Sequence, residues 1–91
     1  MKFPLIYVAT ISREDLLRLL PAATGEADFR DTGDLIAGRH WRLRLTPVEP
    51  LVIGSLQLHR YHVEHEFSGL SEQEIDAFMT RFGQHLQRGG G

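Results

Sequence analysis

Between His40 and Phe67 apolar and polar residues alternate at a period of two, and this narrows the fold of the chain more than any other feature. In HWRLRLT, residues 40–46, Trp41, Leu43 and Leu45 alternate with His40, Arg42, Arg44 and Thr46, which is a strand with one dry and one wet face. LVIGSLQL, residues 51–58, carries Val52, Leu56 and Leu58 on one parity. Pro47-Val48-Glu49-Pro50 between them reads as a turn. Folding there sets Leu45 opposite Val52 and Trp41 opposite Leu56, so the apolar faces agree. After Leu58 the apolar set changes parity to Tyr61, Val63 and Phe67. A one-residue switch inside an extended run predicts a β-bulge near His59-Arg60.

Such strands need cover on their dry face, and two amphipathic segments supply it. Phe3 to Ile11 is rich in β-branched and aromatic residues, with Phe3, Leu5, Tyr7 and Ala9 on one face and Ile6 and Val8 on the other. It reads as a strand apolar on both sides, with Pro4 tolerable at its start. Ser12 follows as a helix N-cap, with Glu14 and Asp15 in the first turn, where the helix dipole favours carboxylates. Leu16, Leu17, Leu19 and Leu20 form the apolar stripe. Pro21 is expected to end or kink this helix near Leu20, although Ala22 and Ala23 can carry one more turn before Gly25. Ser71 and Glu74 form a capping box, with Leu70 and Ile75 placed as a hydrophobic staple. Ile75, Phe78, Met79, Phe82 and Leu86 then follow helical spacing. Gly83 inside that pattern marks a close contact or an early end.

Residues 24–40 (TGEADFRDTGDLIAGRH) carry turn signals at Thr32-Gly33 and Gly38-Arg39, with Asp34 to Ala37 as a short strand. The stretch is long for a connection, which predicts a hairpin or a functional loop. The fold class is therefore α+β: a two-layer sandwich of a mainly antiparallel sheet of three to five strands with two helices on one face, in the order β-α-(β)-β-β-α. Residues 1–88 form a single domain, and 89–91 a flexible glycine tail.

Composition removes whole classes of chemistry. The chain has 91 residues and no cysteine, which excludes disulfides, thiolate nucleophiles and cysteine-ligated metal centres. Its formal charge of −2 with neutral histidines is too weak a field to point to nucleic acid or an acidic membrane. The single RGG of Arg88-Gly89-Gly90 is not repeated and adds little for RNA. No apolar run approaches the roughly 18 residues of a membrane span. The first residues lack a signal-peptide pattern, so a mature N-terminus, a whole small protein and a cytoplasmic location are the expectation. Phosphate-loop, nucleophile-elbow and calcium-loop patterns are missing. Asp28, Asp31 and Asp34 read as turn formers. No cofactor is implied, and a domain this small without a nucleophile is a poor candidate for an enzyme.

The residues with most chemistry in them are LHRYHVEHEF, 58–67. On a strand His59 and His65 lie roughly 20 Å apart and His62 faces the other way, so the three cannot share one ion. The better metal candidate is His62 with Glu64 and Glu66, same-face neighbours about 7 Å apart, completed by His40 or an aspartate of the 28–34 loop. The competing reading, which is preferred, is a solvated strand face whose carboxylates pair with Arg42 and Arg44. Those arginines are also the candidate contacts for an anionic ligand. His65 shares the dry face with Val63 and Phe67 and is expected to be a buried or rim histidine. Two functions follow. Ile6, Val8 and Ile53 fall on the sheet face that two helices on the other side leave bare, which predicts an interaction or assembly module, a homodimer or a protein docked on a partner. The alternative is a small-molecule or metal-binding domain with its site between the 24–40 loop and the His62–Glu66 strand face.

Overall fold

The computed structural model describes residues 4–90, and only the backbone of 87–90. The elements run β1 (Ile6–Thr10), α1 (Arg13–Thr24), β2 (Arg30–Asp31), β3 (Leu35–Ala37), β4 (Trp41–Ile53), β5 (Leu56–Phe67) and α2 (Glu72–Gly90). The expected tail at 89–91 falls at this limit, and Gly91 lies outside the described residues. The five strands form one sheet in the order β1-β5-β4-β3-β2, with every neighbouring pair antiparallel. This is the two-layer α+β architecture the patterning predicts, at the upper end of its strand count.

The helices begin where the caps place them. Ser12 Oγ accepts from the Asp15 N–H at 3.1 Å. Ser71 and Glu74 satisfy each other's backbone N–H groups at 3.0 and 3.2 Å. Helix α1 passes through Pro21 and ends one turn later, where Gly25 adopts a left-handed φ of 77° and its N–H bonds to the Pro21 carbonyl. Helix α2 runs on through Gly83, where an added Cβ would meet nothing within 4 Å. Gly83 thus marks neither a close contact nor an end.

Leu16, Leu20 and Ala23 of α1 and Phe82 of α2 close over Ile36, Trp41, Leu43, Leu45 and Val63 of the sheet. The Trp41 indole is the pivot of one end of this core. Its Nε1 donates to Glu26 Oε2 at 2.9 Å, while the other Glu26 oxygen accepts from the Arg39 N–H at 3.1 Å.

The central hairpin differs from expectation. The chain does not turn at Pro47–Pro50. It stays extended to Ile53 and reverses at Gly54-Ser55, where Gly54 supplies a φ of 59°. Leu45 therefore faces Val63, not Val52, and Trp41 faces Phe67, not Leu56. The Leu45 N–H bonds to the Asp34 carbonyl, so Leu45 and, two residues on, Pro47 turn their backbone nitrogens away from β5. Strand β3 ends its pairing at Arg44, so the missing N–H of Pro47 faces an edge and costs no ladder bond. The bulge is real but lies across the hairpin from its expected place: Val48 pairs Arg60 and Leu51 pairs Leu58, so the extra residue is in β4 at Glu49-Pro50, opposite His59.

Candidate functional site

The ladder fixes what each side of the sheet displays. On the side away from the helices, Arg42 stands opposite Glu66, Arg44 opposite Glu64, and Thr46 opposite His62. Beyond Glu64 and His62 stand Ile6 and Val8 of β1. The candidate metal ligands His62, Glu64 and Glu66 and the candidate anion contacts Arg42 and Arg44 are thus gathered on one open face. His62 Nδ1 lies 3.7 Å from Glu64 Oε1. Glu66 is held by both arginines, with Arg42 Nε 3.7 Å from one oxygen and Arg44 Nη2 3.9 Å from the other. These are partly exposed pairs on a wet strand face, each worth about 1 kcal/mol at most.

Three of the residues named as a third metal ligand go elsewhere. His40 Nδ1 donates to the Ser68 carbonyl at 3.2 Å. Asp31 pairs with Arg13 of α1, and Asp28 lies 4.0 Å from Arg39. Among the described residues no group of three or more His, Cys, Asp or Glu side chains is arranged to hold a metal ion. Residues 24–40 form a hairpin, β2–β3, in which Asp31 Oδ1 accepts the Gly33 N–H at 2.9 Å and closes an Asx turn.

His65 is on the helix side and only 6% exposed. Its Nε2 and the Tyr7 hydroxyl share a hydrogen bond of 2.8 Å. The imidazole meets Phe82 edge-on at 4.8 Å and stacks on Phe67 at 6.2 Å. Burial in this aromatic nest pushes the His65 pKa down to about 4, and the Tyr7 phenol up. At neutral pH both groups are uncharged and satisfy each other, so the pair is a structural plug with little driving force for proton transfer. Sequence reasoning missed Tyr7 as its partner. The signal available was that Tyr7 and His65 each lie on the dry parity of their strands.

The remaining feature of the open face is aliphatic. Ile6 is 59% and Val8 47% exposed, both on β1, which is an edge strand. A second group, Leu51, Ile53 and Leu56, stands exposed near the end of the β4–β5 hairpin, where neither β1 nor β3 extends to flank it. The register puts these three on the open side as well, since Leu51 pairs Leu58 and Ile53 pairs Leu56 on the parity of His62 and Glu64.

Fold and surface together define a small two-layer α+β module with one bare sheet face. The chain matches the family model described as archaeal MoaD-like protein over residues 6–91, and it belongs to that family. Neither the curated proteins nor the solved structures contain a match. Among the described residues, no helix is long and apolar enough to cross a membrane.

Proposed function

We propose that the domain is a protein-interaction module that associates with a second copy of itself through the open side of its sheet. The observation that carries this is the exposure of Ile6 and Val8 on a side that neither helix reaches. Aliphatic side chains grouped on one bare face of a small domain gain about 25 cal/mol per Å2 when covered. The molecule measures 44 × 30 × 19 Å between Cα atoms, so its broad sides are on the scale of the roughly 800 Å2 per partner of a standard interface. A second copy is the simplest occupant, because a two-fold axis lets one patch serve both chains. Light scattering after size exclusion tests the reading. The expected mass is twice the 10.4 kDa of one chain, and a single-chain mass at the highest soluble concentration would refute it.

A second reading is supported by the proximity of His62 and Glu64, with Arg42 and Arg44 on the next strand. In it, this face binds a metal or a small anion next to the 24–40 segment. Its test is thermal melting with zinc or phosphate added. A rise in midpoint with zinc, lost in His62→Ala, would support it, and unchanged melting with both additives would end it.

A further inference from the structure

The two edges of the sheet are built differently. Strand β2, at one end, is two residues long and consists of Arg30 and Asp31, both exposed, with Asp31 tied to Arg13 of α1. A short, charged edge strand is what keeps a sheet from pairing with another chain. Strand β1, at the other end, has none of these protections. From Pro4 to Ser12 the Tyr7 phenol is the one ionisable group, and β1 pairs with β5 residue for residue without a bulge. Among the described residues no strand pairs with its outer side.

The ladder also says which backbone groups face outward. Leu5 accepts from the His65 N–H at 2.8 Å, so Leu5 and the residues two and four further on, Tyr7 and Ala9, direct their N–H and C=O groups at β5. Ile6, Val8 and Thr10 direct theirs away from the sheet. The residues whose backbone groups lack a partner strand therefore include Ile6 and Val8, whose aliphatic side chains are exposed on the open face.

We infer that β1 is the seam of a homodimer, pairing antiparallel with β1 of a second copy to make one continuous sheet. This rests on the reading that the chain self-associates, and places the contact at the β1 edge of the sheet, so that the open faces of the two copies lie side by side. With the two-fold axis at Tyr7, Ile6 of each chain stands opposite Val8 of the other. Each such pair exchanges both of its N–H···O bonds, and each sets two aliphatic side chains in cross-strand contact on the open face. The Thr10 N–H of one chain reaches the Pro4 carbonyl of the other. Pro4 has no N–H of its own to leave unpaired. Shifting the axis to Val8 would keep one apolar pair, Val8 with Val8, but set each Ile6 against Thr10. The outward N–H groups of Ile6, Val8 and Thr10 all find acceptors across the axis, with the Thr10 carbonyl left to solvent, and the two-fold repeats the Ile6–Val8 contact twice, which favours a second copy.

Amide hydrogen exchange by NMR, read at low and high concentration beside solution mass, tests the seam. The expected result is a dimer in which the Ile6, Val8 and Thr10 amides gain protection as the dimer forms, while Tyr7 and Ala9, bonded to β5 within each chain, are protected throughout. Val8→Lys should weaken dimerisation by about tenfold or more. Val8→Pro, which deletes one outward N–H and no β1–β5 bond, should weaken it too. If either variant fails to fold, exchange on the unaltered chain still decides. A dimer whose Ile6, Val8 and Thr10 amides exchange as in the monomer would overturn the seam and leave self-association through the open face standing. A monomer at all concentrations would overturn both.

Discussion

Tyr7 on β1 and His65 on β5, 58 residues apart in the chain, share a hydrogen bond of 2.8 Å within the aromatic cluster beneath α2. It joins the edge strand to the centre of the core. The rings of Phe67, Phe78 and Phe82 surround the imidazole, so its neutral form is strongly favoured.

That arrangement makes stability depend on pH. The folded-state pKa of His65 is lowered to about 4, against an ordinary value of 6.5. Between these values the unfolded chain binds the extra proton and the folded one does not. His65 therefore lets the fold keep full stability above about pH 6.5 and lose it progressively as pH falls towards 4, by about 3 kcal/mol in all. Urea unfolding at pH 7 and pH 5 should show the decline. His65→Gln should flatten it, and an equal slope in that variant would assign the effect to other groups.

Gly38 is fixed by the Trp41 indole. A Cβ on residue 38 would land on Nε1 and Cε2 of that ring, which is 3% exposed and anchored to Glu26. Gly38→Ala should cost about 1–3 kcal/mol, as overpacking does. Because Trp41 is the single tryptophan, its emission should move to the red. A change within about 0.5 kcal/mol, as at ordinary surface sites, would mean that the ring has room to give.

Gly83 is the opposite case. It sits inside α2 with open space where a Cβ would be. Gly83→Ala should stabilise the fold by about 1 kcal/mol, by removing backbone freedom from the unfolded chain. A lower thermal midpoint in this variant would show that the glycine is needed there.

Arg81 of α2 supplies what α1 lacks. The last turn of α1 has no basic residue, and Arg81 Nε donates to the Ala22 carbonyl there at 2.7 Å. A cation at a helix C-terminus is worth up to about 1 kcal/mol when exposed, and Arg81→Met should lose about that much. The loss should shrink in high salt. Arg81→Lys should restore only part of it, since an ammonium is a point charge without the guanidinium's rigid fork of donors. Identical stability of the Met and Arg forms at low salt would show that the contact contributes nothing.

The readable parts of this sequence were those set by local rules. Ser12, and Ser71 with Glu74, announce helix starts because capping needs only neighbouring residues. The alternation of Trp41, Leu43 and Leu45 announces a strand because burial repeats at the period of the backbone. Pro47 and Pro50 carry a strong local turn signal that the hairpin does not obey, and what neutralises it is non-local: β3 stops at Arg44 and leaves that stretch of β4 at an edge. Leu56 and Leu58 looked like core residues for a related reason. Their parity is that of the open face, and only the register of the whole hairpin reveals it. The histidine segment is legible as a strand with His62, Glu64 and Glu66 on one side and His65 on the other, because alternation at a period of two is local. The Tyr7 contact was out of reach because it depends on how β1 aligns with β5.

The unequal edges of the sheet also set a limit on growth. A sheet that could pair at both ends would add copies without end and form a fibre. Here the Arg30-Asp31 strand is short and charged, which are features that discourage further pairing. An assembly joined at β1 would present a short, charged β2 at each end, so pairing through the end strands would stop at two copies.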